Sequence, residues 1–255
     1  MSETTPTEAA EPVPVKDRPA RIGNFRSSAA QFLVALILML FMAPFVDELE
    51  YGPAIDTGLI TLVLIMGVLA VGRSVDRSHR TLMVAVVLML PAVVTRWVSH
   101  FQPHSLPLAV GQSIGALVFM GFVEFKLLHF IFRARRVNSE VLCAGISGYL
   151  LLGILWMSAY MLVSRLNPVD STHPGAFSFN TGTAAAHSLS QFEAYYFSFI
   201  TLSTVGYGDI SPLSQGARTL AMTEAMTGTL YIAVLISRLV ALYTSQGSEV
   251  SEQKD

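Results

Sequence analysis

Five consecutive residues, Thr204, Val205, Gly206, Tyr207 and Gly208, have the types and the spacing that can hold a cation stripped of its water. Backbone carbonyl oxygens replace a hydration shell when successive carbonyls point the same way. That arrangement requires backbone conformations of alternating hand, and glycine adopts positive φ values without steric cost. The sequence therefore predicts carbonyl ligands from Thr204, Val205, Gly206 and Tyr207, together with the Thr204 hydroxyl. We expect the side chains of Val205 and Tyr207 to pack outward and hold the wall.

A short helix is expected directly before this segment. Ser190 and Glu193 have the spacing of a capping box, in which a hydroxyl and a carboxylate bond the first free amides of a helix. The apolar and aromatic residues 194–203 are too few to cross a bilayer, so they predict a re-entrant helix. The negative carboxyl end of its dipole would face the entering cation. The preceding residues 166–189 are polar and are expected to form an exposed loop.

The composition of the chain excludes a soluble catalytic domain. Of its 255 residues, 52% are hydrophobic and only 13% are charged, whereas soluble domains carry about a quarter charged residues. The net charge of −2 offers no basic face to nucleic acid. The single cysteine, Cys143, permits neither a disulfide framework nor a cysteine metal cluster. We expect a membrane protein that is not an enzyme and holds no cofactor.

Six apolar segments are long enough to cross a bilayer, which takes roughly 20 apolar residues. They cover residues 27–46, 53–72, 81–98, 107–132, 141–165 and 216–243. The sequence thus predicts an all-α integral membrane protein with six transmembrane helices, the re-entrant helix and its loop. Residues 1–26 are expected to be a disordered tail. Residues 244–255 are expected to be a short cytoplasmic tail with no room for a ligand-binding domain.

The basic residues predict an orientation for these spans. Every Lys and Arg except Arg96, Arg165 and Arg218 falls on the side of the two termini. Basic loops stay in the cytoplasm, so both termini are predicted to be cytoplasmic. The acidic residues Asp47, Glu48 and Glu50 would then face outward.

Residues 192–212 resemble the pore helix, filter and outer mouth of the potassium channel superfamily, of prokaryotic type. The resemblance rests on the Thr-Val-Gly-Tyr-Gly-Asp motif of residues 204–209, which follows a short helix and is bracketed by two spans. It implies a pore domain at 137–243 behind a four-span domain at 27–136. It also implies permeant K⁺ held at residues 204–207, Asp209 at the outer mouth, and four copies around one axis in the lipid of a plasma membrane.

The last span supplies candidates for a gate. Gly228 stands where many family members carry a hinge glycine, and a glycine there indicates either bending or close packing. Four further residues recur at helical spacing and are candidates for lining the inner cavity: Thr229, Ile232, Ile236 and Val240. Their periodicity would suit a buried seam equally well.

Two residues are candidates for supporting the filter. Ile200 stands where some family members place a carboxylate behind the filter. Glu224 is expected near filter depth in the last span, where ionisable groups usually face protein and have a role. We expect it to bond hydroxyls such as Ser198 or Thr201 in a neutral or partly shared protonation state. A purely structural bond between helices is an equal alternative.

The fourth span lacks the cations of a voltage sensor. Residues 107–125 contain Gln112 and Glu124 but no Lys or Arg, whereas a sensor needs several cations within the membrane field. The sequence therefore predicts weak voltage gating and leaves the gating stimulus open. On the outer side, His100 and His104 have a spacing that could bind zinc, although a solvated loop or proton sensing is favoured.

Two other functions compete with a channel. A potassium-uptake transporter subunit could use a filter-like loop, but such proteins commonly repeat the span-loop-span unit, and this chain has one. A nonconducting membrane scaffold would be distinguished only by measuring flux.

Overall fold

The computed structural model describes residues 28–46, 49, 51–72, 79–101, 105–169, 174–180 and 188–252. Several expectations lie outside these residues: the tail 1–26, the acidic group Asp47, Glu48 and Glu50, and the histidine His104.

Six helices within the described residues are long and apolar enough to cross a membrane, as predicted. They are α1 (Ser28–Val46), α2 (Gly52–Ala70), α3 (His79–Phe101), α4 (Leu106–Arg133), α5 (Ser139–Leu166) and α7 (Gln215–Glu252). A seventh helix, α6 (Gln191–Leu202), is too short to span. The chain is therefore an all-α membrane protein, and α7 continues well past residue 243, where the last span was expected to end.

Local sequence explains where two of the spans begin. The Asn138 side chain accepts a hydrogen bond of 2.9 Å from the Val141 amide and so caps α5. Pro107 lies in the first turn of α4, where its missing amide hydrogen costs nothing. Both helices therefore start at residues that satisfy or remove the free amides of a first turn.

Helix α5 joins the first four helices to the rest of the chain. It packs against α1 and α4 on one side and against α6 and α7 on the other. In the apolar stretch of α5 that is able to cross a membrane, 61% of the residues are buried, compared with 17% in the corresponding stretch of α7. One chain therefore encloses α5 but leaves most of α7 uncovered.

A two-stranded antiparallel sheet was not predicted. Strand β1 (Phe177–Phe179) pairs with β2 (Ile210–Pro212), which follows the motif. The expectation of an exposed loop over 166–189 is wrong here, because the Phe177 side chain is buried. Its ring packs edge-on against the rings of Tyr160 and Phe197. This contact holds β1 beside α6.

Candidate functional site: a carbonyl-lined segment at the end of a short helix

The short helix α6 begins with the capping box that the sequence predicted. The Ser190 hydroxyl accepts a hydrogen bond of 3.2 Å from the Glu193 amide, and the Glu193 carboxylate accepts one of 2.7 Å from the Ser190 amide. Farther along, the Ser198 hydroxyl lies 2.7 Å from the Gly153 carbonyl oxygen of α5. These contacts determine where α6 begins and where it lies along α5.

The segment after α6, residues 203–208, turns back onto the last turn of that helix. The Ile200 carbonyl oxygen accepts hydrogen bonds from the amides of Val205, at 2.8 Å, and Gly206, at 3.1 Å. The Thr204 amide donates to the Thr201 carbonyl oxygen at 3.0 Å. Ile200 thus contacts the predicted filter through its backbone, while its side chain is buried.

The backbone of this segment alternates in hand. Thr204, Gly206 and Gly208 have φ values of 60°, 52° and 79°. The positive values at the two glycines confirm the sequence prediction, whereas Thr204 was not expected to share them. A threonine in this region costs on the order of 1–3 kcal/mol, and the amide bonds to residues 200 and 201 hold it there.

Four consecutive carbonyl groups in the segment remain without a hydrogen bond. Among the residues that the structure describes, none donates to the carbonyl oxygens of Thr204, Val205, Gly206 or Tyr207. The next carbonyl, of Gly208, accepts a 2.8 Å bond from the Asn180 side chain. The unpartnered carbonyls are therefore the same four that the sequence predicts as cation ligands.

The side chains of Val205 and Tyr207 are exposed in a single chain. Against the described residues they are 52% and 73% exposed, so their outward packing stays a prediction. The α6 helix bonds the start of the segment through the carbonyl groups of Phe199, Ile200 and Thr201. The outward packing expected for these two side chains would require surfaces from outside the chain.

Asp209, the predicted outer-mouth residue, is fixed on three sides. Its side chain accepts hydrogen bonds from the Tyr196 hydroxyl, at 2.7 Å, and from the Ile210 amide, at 3.0 Å. Its carbonyl oxygen accepts a 2.7 Å bond from the Asn180 amide. The bond to Asp209 raises the pKa of the Tyr196 phenol to about 12, so this tyrosine stays protonated and keeps donating. The sequence reasoning missed Asn180 and Tyr196, because their roles depend on the β1–β2 pairing.

Glu224 lies fully buried where α5, α6 and α7 meet. Its carboxyl group contacts the Tyr160 hydroxyl, which donates to it, and lies 2.5 Å from the Ser198 hydroxyl oxygen. The expected contact with Ser198 is present, the alternative with Thr201 is not, and Tyr160 was missed. Ser198 also lies 2.7 Å from the Gly153 carbonyl oxygen and carries one hydroxyl proton. A protonated Glu224 that donates to Ser198 accounts for both contacts.

We expect Glu224→Leu to lower the free energy of unfolding by about 2–6 kcal/mol, because two buried hydroxyl groups lose a partner at about 1–3 kcal/mol each. Glu224→Gln keeps both contacts and should unfold close to the original temperature. Thermal unfolding in detergent measures both, with the exposed Met222→Leu on the same helix as the control.

We also expect Glu224→Gln to change how ion flux responds to pH. An unchanged flux profile would leave Glu224 with a structural role only.

The residues proposed for the gate lie in two environments on α7. Gly228 is packed closely, because a Cβ there would clash with the Leu202 carbonyl oxygen at the end of α6. Of the two alternatives for this glycine, the structure supports close packing, and α7 is a continuous helix through it. The four other candidates are exposed in one chain and form no buried seam there: Thr229, Ile232, Ile236 and Val240.

The described residues contain no cluster of three or more His, Cys, Asp or Glu side chains able to hold a metal ion. His100 lies in α3, but its proposed partner His104 is outside the described residues. The zinc and proton-sensing alternatives for this pair stay predictions.

Comparison with known proteins finds potassium channels. The model of a family described as an ion channel matches residues 172–245. The inward rectifier potassium channel Kirbac3.1 of Paramagnetospirillum magnetotacticum is 30% identical over 96 residues, 38% of this chain and 27% of the relative. The two-pore potassium channel 4 of Arabidopsis thaliana is 41% identical over 49 residues, 19% of this chain and 17% of the relative. The voltage-gated potassium channel Kch of Escherichia coli is 25% identical over 180 residues, 69% of this chain and 37% of the relative.

The matched regions span 17% to 37% of these three relatives, so less than half of each is represented. No solved structure gives a significant match. The family match begins before β1 and runs through α6, the carbonyl segment and β2 into α7. It therefore covers the part of the chain that carries the motif and its supports. On the family match and these relatives together, this part of the chain is similar to ion channels, and the relatives are named as potassium channels.

Proposed function

We propose that the protein is a subunit of a potassium-selective channel that conducts K⁺ passively through residues 204–208. The observation that carries the proposal is the row of four unpartnered carbonyl groups, of residues 204–207, on a backbone with positive φ at every second residue. Carbonyl oxygens in this arrangement replace the water around a larger, weakly hydrated cation.

The two ends of this segment are held, which favours a fixed set of ligand positions. At one end the amides of Val205 and Gly206 bond the Ile200 carbonyl, and at the other Asn180 bonds Gly208 and Asp209. The carboxyl end of α6 points at the start of the segment and adds partial negative charge there. Binding at several equivalent sites lets ions advance by mutual repulsion without a covalent step.

A homotetramer is the assembly that we propose. Residues 203–208, which include Val205 and Tyr207, are exposed in a single chain. One face of α7 is exposed as well. Irregular backbone at membrane depth is tolerated only where protein or a water-filled cavity covers it. One chain supplies one carbonyl row, and a cation is enclosed when four such rows face a common axis. Further copies of the chain would also supply the wall for Val205 and Tyr207.

We also propose that both termini are cytoplasmic and that the protein resides in the plasma membrane of a bacterium. The basic residues support this orientation, since Arg133 ends α4 and Arg135 and Arg136 follow it at the proposed cytoplasmic end. The start of α6 and Asp209 then face outward.

The test of the function is ion flux through purified protein in liposomes. We expect K⁺, Rb⁺ and Tl⁺ to permeate while Na⁺ is refused, and we expect four copies by cross-linking in mild detergent. Comparable Na⁺ and K⁺ permeability would refute the selectivity. Full activity from cross-linked dimers would refute the tetramer, because dimers would need two filters per chain.

We expect voltage to gate the channel weakly. Moving one charge across the membrane field contributes about 2.3 kcal/mol per 100 mV, and steep gating needs several such charges in each subunit. Helix α4 carries no Lys or Arg before Lys126, and Glu124 is its one acidic residue. Conductance measured against voltage in symmetric K⁺ and again in Rb⁺ should be shallow and should change with the ion. A steep curve that is the same in both ions would reveal a sensor elsewhere.

A further inference from the structure

A cavity of about 540 Å³ lies at the end of the helix bundle where α6 begins. Its walls come from α1 to α5 and from the first turns of α6. Small-molecule sites in proteins typically measure about 300–1,000 Å³ and combine apolar walls with a few polar groups. This cavity has that size and that composition, with apolar side chains such as Met39, Met157 and Phe192 beside the polar ones.

The charges on the described lining residues are unequal. Arg96 of α3 pairs with Asp56 of α2, which also accepts a 2.7 Å hydrogen bond from the Gln191 side chain of α6. Arg165 of α5 bonds only neutral groups: the Ser113 hydroxyl oxygen, at 2.7 Å, and the Ala109 carbonyl oxygen. Asp56 is the one carboxylate among these residues, against two guanidinium groups. The described lining therefore carries one uncompensated positive charge.

Three lining residues carry buried polar atoms without a partner. Nε of Arg96, the Ser99 hydroxyl and the Tyr195 hydroxyl form no hydrogen bond within the described part of the chain. The Tyr195 side chain belongs to a residue only 5% exposed, and the Arg96 side chain is 11% exposed. An unpaired buried donor costs about 1–3 kcal/mol. All three can donate to the same kind of acceptor, namely an oxyanion.

We propose that this cavity binds a singly charged oxyanion with a small apolar body, a carboxylate or a phosphate diester. The oxyanion would neutralise Arg165 and, once their side chains turn toward the cavity, accept from the unpartnered donors. The apolar body would lie against Met39, Met157 and Phe192. Because Gln191, Phe192 and Tyr195 belong to the first turns of α6, the ligand contacts the helix that carries the carbonyl segment. The same chemistry is offered by a water-soluble carboxylate and by a phospholipid headgroup.

Calorimetric titration of the purified full chain in neutral detergent tests the site, with benzoate as the probe. We expect saturable benzoate binding, with much weaker binding of benzyl alcohol, which lacks the charge, and of inorganic phosphate, which lacks the apolar body. Repeating the titration in nanodiscs with and without phosphatidylglycerol distinguishes the two sources. Competition by this lipid assigns the site to a headgroup, and its absence assigns the site to a soluble anion. Either result supports the oxyanion site.

Arg165→Gln should weaken benzoate binding by at least about tenfold, the loss expected for one charge-assisted hydrogen bond. Arg165→Lys keeps the charge and should fall between the two proteins. The control is Arg133→Gln, at the opposite end of α4 from the cavity. This variant should bind benzoate as tightly as the unchanged protein does. Equal binding by Arg165→Gln, or equal binding of benzyl alcohol, would overturn the proposal.

The loop between α1 and α2 contains the carboxylates of Asp47, Glu48 and Glu50, which the structure does not describe. Benzoate binding that appears only in a variant with these three residues changed to amides would mean that the loop itself occupies the cavity, and would also overturn the proposal. These readouts do not depend on ion flux, so their failure is separate from a failure of the channel assignment.

Discussion

Gly206→Ala is expected to abolish potassium flux while leaving the assembly intact. Gly206 has a φ of 52° and donates its amide to the Ile200 carbonyl oxygen. An alanine in this region costs on the order of 1–2 kcal/mol in each copy, and returning to negative φ would rotate the flanking carbonyl groups away from their row. Within one chain, no described atom beyond its chain neighbours lies within 4 Å of the added Cβ, so the effect there is conformational. Flux of Rb⁺ into liposomes measures it.

The matched control is Gly58→Ala in α2. Its Cβ would also meet no described atom within 4 Å, but this glycine has the backbone conformation of a helix. An alanine in the interior of a helix is favoured over glycine by about 1 kcal/mol. Gly58→Ala should therefore conduct normally and unfold at a slightly higher temperature. If Gly206→Ala conducted selectively as the original does, residues 204–208 would not be the filter.

Gly228→Ala should have the second large effect, on both stability and flux. An added Cβ would clash with the Leu202 carbonyl oxygen and lie 2.9 Å from the Leu202 side chain. A backbone oxygen cannot move aside as a flexible side chain can, so α7 must shift away from the end of α6. We expect a loss of about 3 kcal/mol or more in the free energy of unfolding, at the upper end for overpacked sites. Thermal unfolding in detergent and flux in liposomes measure the two effects.

Gly111→Ala in α4 serves as the control for crowding, because its Cβ would have no neighbour within 4 Å. A Gly228→Ala variant that is as stable as Gly111→Ala would show that α7 does not approach α6 as closely as the structure has it. A stable variant with altered gating would instead favour the hinge interpretation of Gly228.

The spans and the start of α6 could be predicted because each depends on neighbours in sequence. Twenty apolar residues in a row indicate a membrane helix wherever they occur, and the Ser190–Glu193 capping box is complete within four residues. The positive φ values at Gly206 and Gly208 followed from glycine chemistry in the same way. The positive φ at Thr204 did not, because it results from bonds to residues 200 and 201 that no local rule favours for threonine.

The contacts around the motif were harder to predict because they join distant parts of the chain. Tyr160 of α5 donates a hydrogen bond to Glu224 of α7. Asn180 bonds Gly208 and Asp209 only because β1 pairs with β2. The ion pair between Asp56 and Arg96 depends on how α2 and α3 lie side by side. A polar residue in an apolar span signals that a partner exists, but the identity of the partner comes from helix packing.

The pairing of β1 with β2 has a consequence for how the protein opens locally. The two strands join the chain before α6 to the chain after the carbonyl segment, so residues 177–212 form a closed loop. Local unfolding takes place in cooperative units, and a loose segment normally frays at a free end. Here the segment has no free end, because Ile200 holds its start and Asn180 its finish. Within it the amides of Thr204, Val205 and Gly206 are hydrogen-bonded to residues 200 and 201, and we expect their hydrogens to exchange together with those of the sheet.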